Sequence, residues 1–185
     1  MSLIMVYALA TPFLREDAVI DLLSNADRFY AFFLGPGNDD KFLKFSSIRF
    51  QAQAGYTAHD MLTADYLDAS IGVPVFSQRF MEALGELVAA DVQLIPCEVL
   101  CGSEAFTFYV GRIITCFPFV DEGASSYRQL TDGRKVLQRP HYKTNTANDF
   151  YLARDVTFPH LFVASEKLAA LITDRNLAIN TRPLV

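Results

Sequence analysis

Cysteine is scarce in this chain: Cys97, Cys101 and Cys116 are the only three among 185 residues. An odd count, with two of them inside an apolar strand-like run, excludes a disulfide scaffold and fits reduced thiols in a cytoplasmic protein. Cys97 and Cys101 have no second ligand pair and no nearby histidine, so no zinc site is expected and all three read as small buried hydrophobes. Long hydrophobic runs are missing too, since no stretch approaches the roughly 20 apolar residues of a membrane span. The opening MSLIMVYALA ends in Ala8-Leu9-Ala10 but carries no Lys or Arg before its apolar run, so it reads as a first core strand and not as a signal peptide. Low-complexity segments and convincing linkers are also absent, which predicts one soluble domain over residues 1–185.

Positive charge is in deficit. Sixteen Lys/Arg face 21 Asp/Glu, a formal net charge of −5, which argues against a general nucleic-acid binder. The imbalance is uneven: residues 1–70 hold 5 Lys/Arg against 9 Asp/Glu, whereas residues 128–154 hold six Lys/Arg against only Asp132 and Asp149. An acidic front and a basic patch suit a protein partner at least as well as a polyanion. What the chain has in quantity is core material. It is 51% hydrophobic, with 16 Phe and 8 Tyr, enough to fill an interior without metals or disulfides.

Periodicity predicts an α+β fold: a mixed, largely antiparallel sheet with an N-terminal helix packed on it. Val19, Leu22, Leu23, Ala26, Phe29, Tyr30 and Phe33 form a helical stripe from Asp17 to Leu34, which Gly35-Pro36 stops, although Ser24-Asn25 could divide it and leave RFYAFFL as a strand. SIRFQAQA alternates as a half-exposed strand. Ala58 to Ala69 reads as a short helix. VQLIPCEVL is a strand whose Pro96 calls for an edge or a bulge, and AFTFYVGRIITCF is a longer strand. From Asp121 the composition turns polar, with Asp132-Gly133 suited to a hairpin turn and Arg139-Pro140 to an extended break.

One corner occurs twice. VPVFSQRFMEAL and LFVASEKLAALI each run from an apolar strand through a serine into a helical stripe, and each is followed by a strand with a proline, Pro96 or Pro183. A nucleophile elbow needs glycines around its serine so that the strained turn can form. Neither Ser77 nor Ser165 has a glycine within two residues on either side. Both are therefore expected as helix N-caps, with Phe76 and Met81 as a hydrophobic staple on the first.

Catalytic chemistry is equally thin. Gly35-Pro36-Gly37 is too short for a phosphate cradle and lacks the Lys-Ser/Thr that would follow one. The single constellation available is His141, Asp149, Asp155 and His160 around Arg154, and no spacing among them places two on one helix or strand face. No enzyme, metal or cofactor signature results.

The GVPVFSQRFMEAL unit followed by VQLIPCEVL, together with the late HLFVASEKLAALI, resembles a family of bacterial polymorphic-toxin immunity proteins, the eleventh immunity class, formerly a domain of unknown function. Gly72, Pro74, Ser77, Pro96, Tyr109, Asp121, Phe162, Ser165, Glu166 and Leu168 match its outline over residues 58–185, while residues 1–57 follow it only in general layout. Cys97 stands where an aliphatic is expected, and the glycine often found after the last helix is absent around Asn176. The resemblance implies a cytoplasmic protein that neutralises a cognate secreted toxin, such as a type VI or contact-dependent effector, by stoichiometric binding. It implies no membrane and no direct nucleic-acid contact, and a homodimer is compatible with it. On that reading Asp39, Asp40, Asp65, Asp68, Asp121 and Glu122 are the candidate partner-binding acids, poised against a basic toxin cleft. Two other classes stay open: a hydrolase or nuclease, metal-independent or metal-assisted, built on the His141–His160 region, and a non-catalytic adaptor.

Overall fold

A computed structural model of the chain describes residues 5–13, 19–23, 26–36, 40–44, 46–143 and 149–184. In chain order the elements are β1 (Val6–Ala10), β2 (Ile20–Leu22), α1 (Ala26–Phe33), β3 (Arg49–Ala52), α2 (Ala58–Thr63), β4 (Tyr66–Asp68), β5 (Pro74–Ser77), α3 (Gln78–Val88), β6 (Val92–Cys101), β7 (Glu104–Ile113), β8 (Ser126–Gln129), β9 (Lys135–Arg139), β10 (Leu152–Arg154), β11 (Phe162–Ser165), α4 (Glu166–Asp174) and β12 (Asn180–Leu184). The class is α+β. A six-stranded sheet runs β2-β3-β6-β7-β5-β4 and a four-stranded sheet runs β10-β11-β1-β12, while β8 and β9 form a separate hairpin. Among the described residues every pairing between these strands is antiparallel except β3 with β6. No helix among the described residues is long and apolar enough to cross a membrane.

The doubled corner is two copies of one topology. In the first, β5 leads through α3 to β6, and β7 lies between the two strands, antiparallel to both. In the second, β11 leads through α4 to β12, and β1 fills the same inner place. The match extends to single rows of residues. Across the first sheet Tyr66, Phe76, Tyr109 and Pro96 sit side by side; across the second, Leu152, Ala164, Tyr7 and Pro183 do. The first unit takes its inner strand from the segment after β6, the second from the N-terminus. A short hairpin, β4–β5 or β10–β11, borders each unit.

The copies bury a shared interior. Phe80, Leu84 and Val88 from α3 meet Leu168 and Ile172 from α4, with Phe76, Tyr66, Leu152 and Ala164 closing the space from the sheets. Each large side chain so enclosed contributes roughly 1.5–3 kcal/mol. On the other face of the six-stranded sheet a second cluster gathers Phe29, Phe33, Phe50, Val75, Val99 and Val110, and a third holds Phe117, Phe119, Phe150 and Val163. At the first corner Phe76 stacks on Phe80, at 3.9 Å between ring centroids.

Two helix expectations are corrected. The stripe from Asp17 to Leu34 divides, as Ser24-Asn25 allowed, but in the opposite sense: Ile20–Leu22 is the strand and Ala26–Phe33 the helix. Ile20 and Leu22 satisfy a period of two as well as one of 3.6, and pairing with Ala52 and Phe50 selects the former. The predicted helix over Ala58–Ala69 ends at Thr63, because Ala64 is already extended and Tyr66–Asp68 pairs with β5. Its start is a capping box in which Thr57 and Asp60 satisfy each other's backbone amides. Pro96 lies in an unbroken register with Tyr109 and so needs no bulge. Its other side is a local edge, because β3 pairs only from Glu98 onward.

Candidate functional site

Both cap serines are spent on structure. Ser77 and Ser165 hold extended backbones ahead of their helices, and their Oγ atoms accept from Phe80 N–H at 3.2 Å and Leu168 N–H at 3.3 Å. Ser77 Oγ also donates to Asp65 at 2.5 Å. Asp65, a candidate partner contact from sequence, is only 1% exposed. Its other oxygen accepts from Ala178 N–H at 2.7 Å and pairs with Arg79 at 3.1 Å, so it fastens the first corner to the segment after α4. The position removes Asp65 from any surface patch and makes it a joint between the two units.

The remaining candidate acids do not share one environment. Asp39 lies outside the described residues. Asp40 is exposed ahead of a 3-10 turn at Lys41–Lys44. Asp68 is half-buried between Tyr66 and Thr11 N–H, and burial raises its carboxyl from the ordinary 3.8, opposed by those two hydrogen bonds. Asp121 Oδ1 accepts from Gly123 and Ala124 N–H in a tight turn, and Glu122 accepts from the Thr157 hydroxyl at 3.3 Å.

The histidine constellation is likewise dispersed into separate tasks. Asp155 is 1% exposed, and its two oxygens accept four backbone amides, from Phe119, Val120, Thr157 and Phe158. A carboxylate so occupied is a structural anchor. Arg154 donates to the Leu34 and Gly35 carbonyls, and Arg112 donates to Phe32 O, so two cations sit at the C-terminal end of α1 where its dipole favours them. Asp149 pairs with Lys167 on the surface. His160 packs edge-on to Phe158 and against Gly72, while His141 sits at the base of the β8–β9 hairpin, its amide donating to Ser125 Oγ.

Asp91 went unnoticed in the sequence. It is buried between the two units and accepts from the Thr115 hydroxyl at 2.6 Å and from Tyr151 N–H at 2.5 Å. Asp91 follows the first helix and Ala178 the second, and each bonds across to the other unit, a role that only the distant partners Tyr151 and Asp65 disclose. Cys97 is buried as expected, and burial pushes its thiol up to about 12, while Cys116 is exposed.

Two of the open surface features bear on recognition. One is a groove of about 930 Å³ between α3 and the β6–β7 face, floored by Leu94, Pro96 and Tyr109 and rimmed by Glu86, Leu87 and Ile114. Leu87 and Ile114 are 44% and 52% exposed there. The other is the β8–β9 hairpin, whose strands are mostly exposed. No protein-family model matches the chain, and no curated protein matches it.

Proposed function

We propose that the chain is an immunity protein: a cytoplasmic body that binds a cognate secreted bacterial toxin and neutralises it by stoichiometric protein–protein interaction. The observation that carries this reading is where the polar chemistry goes. Asp65, Asp91, Asp155, Ser77 and Ser165 are enclosed and engaged in structure: Asp65 and Asp91 tie the two units together, Asp155 anchors four backbone amides, and the serines cap α3 and α4. The open surface, in contrast, offers an apolar groove edged by Glu82, Glu86 and Arg175 and a largely exposed hairpin, shapes that serve recognition. A rigid body with a large core also suits this work, because little ordering entropy is lost when it docks.

Co-expression with the toxin encoded beside it tests the reading. Growth is expected to be rescued, and the two chains are expected to co-elute in gel filtration. Failure of both counts against it. Hydrolytic activity of the purified chain that disappears in His141→Ala and His160→Ala would favour the reaction-based alternative.

A further inference from the structure

We propose that the β8–β9 hairpin is a docking arm for an acidic protein segment, which adds to it along an open strand edge. The assignment rests on the protein-binding reading above and supplies the surface and the charge of the partner.

The first observation is charge. Residues 126–143 hold five Lys/Arg against the single Asp132, in a chain whose formal net charge is −5. Asp132 is already paired with Arg134 at 2.7 Å, and Lys143 donates to the Pro118 carbonyl. Arg128, Lys135 and Arg139 have no ion pair or side-chain hydrogen bond among the described residues. Three unpaired cations thus stand on one two-stranded element. The second observation is geometry. The strands β8 and β9 pair only with each other among the described residues, so neither outer edge has a neighbouring strand. Leu137 and Tyr142 lean on the Phe119–Phe150 cluster and tether the arm. On the strand opposite Arg128, Val136 is 45% exposed. An isolated two-stranded hairpin is marginal in water, so a third strand gains both ladder hydrogen bonds and order.

The same features favour protein over nucleic acid. The only aromatic ring within the two strands, Tyr127, is half-buried and gives no stacking platform for bases, and a nucleic acid has no peptide backbone to pair with an open strand edge. A peptide strand with carboxylates matches the cations while its backbone matches the open edge.

Fluorescence anisotropy of the full chain with a labelled oligoglutamate peptide tests this, with a labelled DNA duplex of matched charge as comparison. Wild type is expected to bind the peptide more tightly than the duplex. The triple variant Arg128→Glu, Lys135→Glu, Arg139→Glu is expected to lose at least about tenfold in affinity, because the steering field is local. A control of equal net charge, Arg28→Glu, Lys44→Glu, Arg175→Glu, should lose less than about threefold by the same reasoning. Should the first triple fail to fold, the neutral pair Lys135→Gln, Arg139→Gln is expected to show a several-fold loss. Absence of peptide binding, equal losses in both triples, or tighter binding of DNA would each overturn the proposal. Hairpin-dependent binding without growth rescue defeats the toxin reading alone, and rescue with hairpin-independent binding defeats the docking arm alone.

Discussion

At the scale of the residue, Asp65 joins parts of the chain that are 113 positions apart, through Ala178 N–H. Asp65→Ala leaves that amide, the Ser77 hydroxyl and the buried space unsatisfied together, and is expected to cost about 3 kcal/mol in urea unfolding. Asn176 shows the opposite situation. It has φ of 51°, and the chain there makes the paired bonds of a helix-ending turn, Leu177 N–H to Ile172 O and Asn176 N–H to Thr173 O. A glycine takes this conformation freely, so Asn176→Gly is expected to stabilise by roughly 0.5–1 kcal/mol, read as a higher urea midpoint. Asp68 gives the pH dependence. Burial, its leading cause, raises the folded-state carboxyl above 3.8, so its contribution to stability is full below that value and is lost as pH rises through the folded pKa. Urea midpoints should therefore carry a component that falls as pH rises above the ordinary 3.8 and that Asp68→Asn removes.

At the scale of the element, the β4–β5 turn rests on one glycine. Gly72 has φ of +70°, and a Cβ there would stand 2.7 Å from the His160 carbonyl oxygen in the β10–β11 connection. The two bordering hairpins therefore touch where one of them has no side chain. Gly72→Ala combines an unfavourable backbone with a clash against main chain, and a loss of roughly 2 kcal/mol or more is expected, measured as a lowered thermal midpoint. Helix boundaries belong to this scale as well. Ile20–Leu22 and Tyr66–Asp68 both lie in apolar runs that a helix could use, and both became strands because an edge of the six-stranded sheet lay within reach.

At the scale of the whole molecule, β1 closes the second unit. It pairs with β11 on one side and over its full length with β12 on the other, so the N-terminal segment holds the C-terminal strand in place. Deleting residues up to Ala10 removes an inner strand and leaves β12 without a partner. The truncated chain is expected to lose cooperative unfolding, observed as a broadened thermal transition by circular dichroism, even though the first unit keeps all of its own strands. Single substitutions at Val6 should be milder, since Val6 is one core residue among several in its cluster.

Some of this was fixed by local chemistry and was visible in the chain itself. The two serine caps, the helices behind them, the Asp132-Gly133 turn with Gly133 at φ of +84° and the alternation of Ile48, Phe50 and Ala52 follow from short-range spacing and from hydrogen bonds between near neighbours. The pairing of distant segments was not visible. Whether Ile20 lies on a helix or a strand, whether Asp65 faces a partner or the interior, and which strand completes the second unit depend on what arrives from far along the chain. Such contacts are specified by the summed burial of a shared core, which no single window of sequence contains, and so they were decided only when the two units closed on each other.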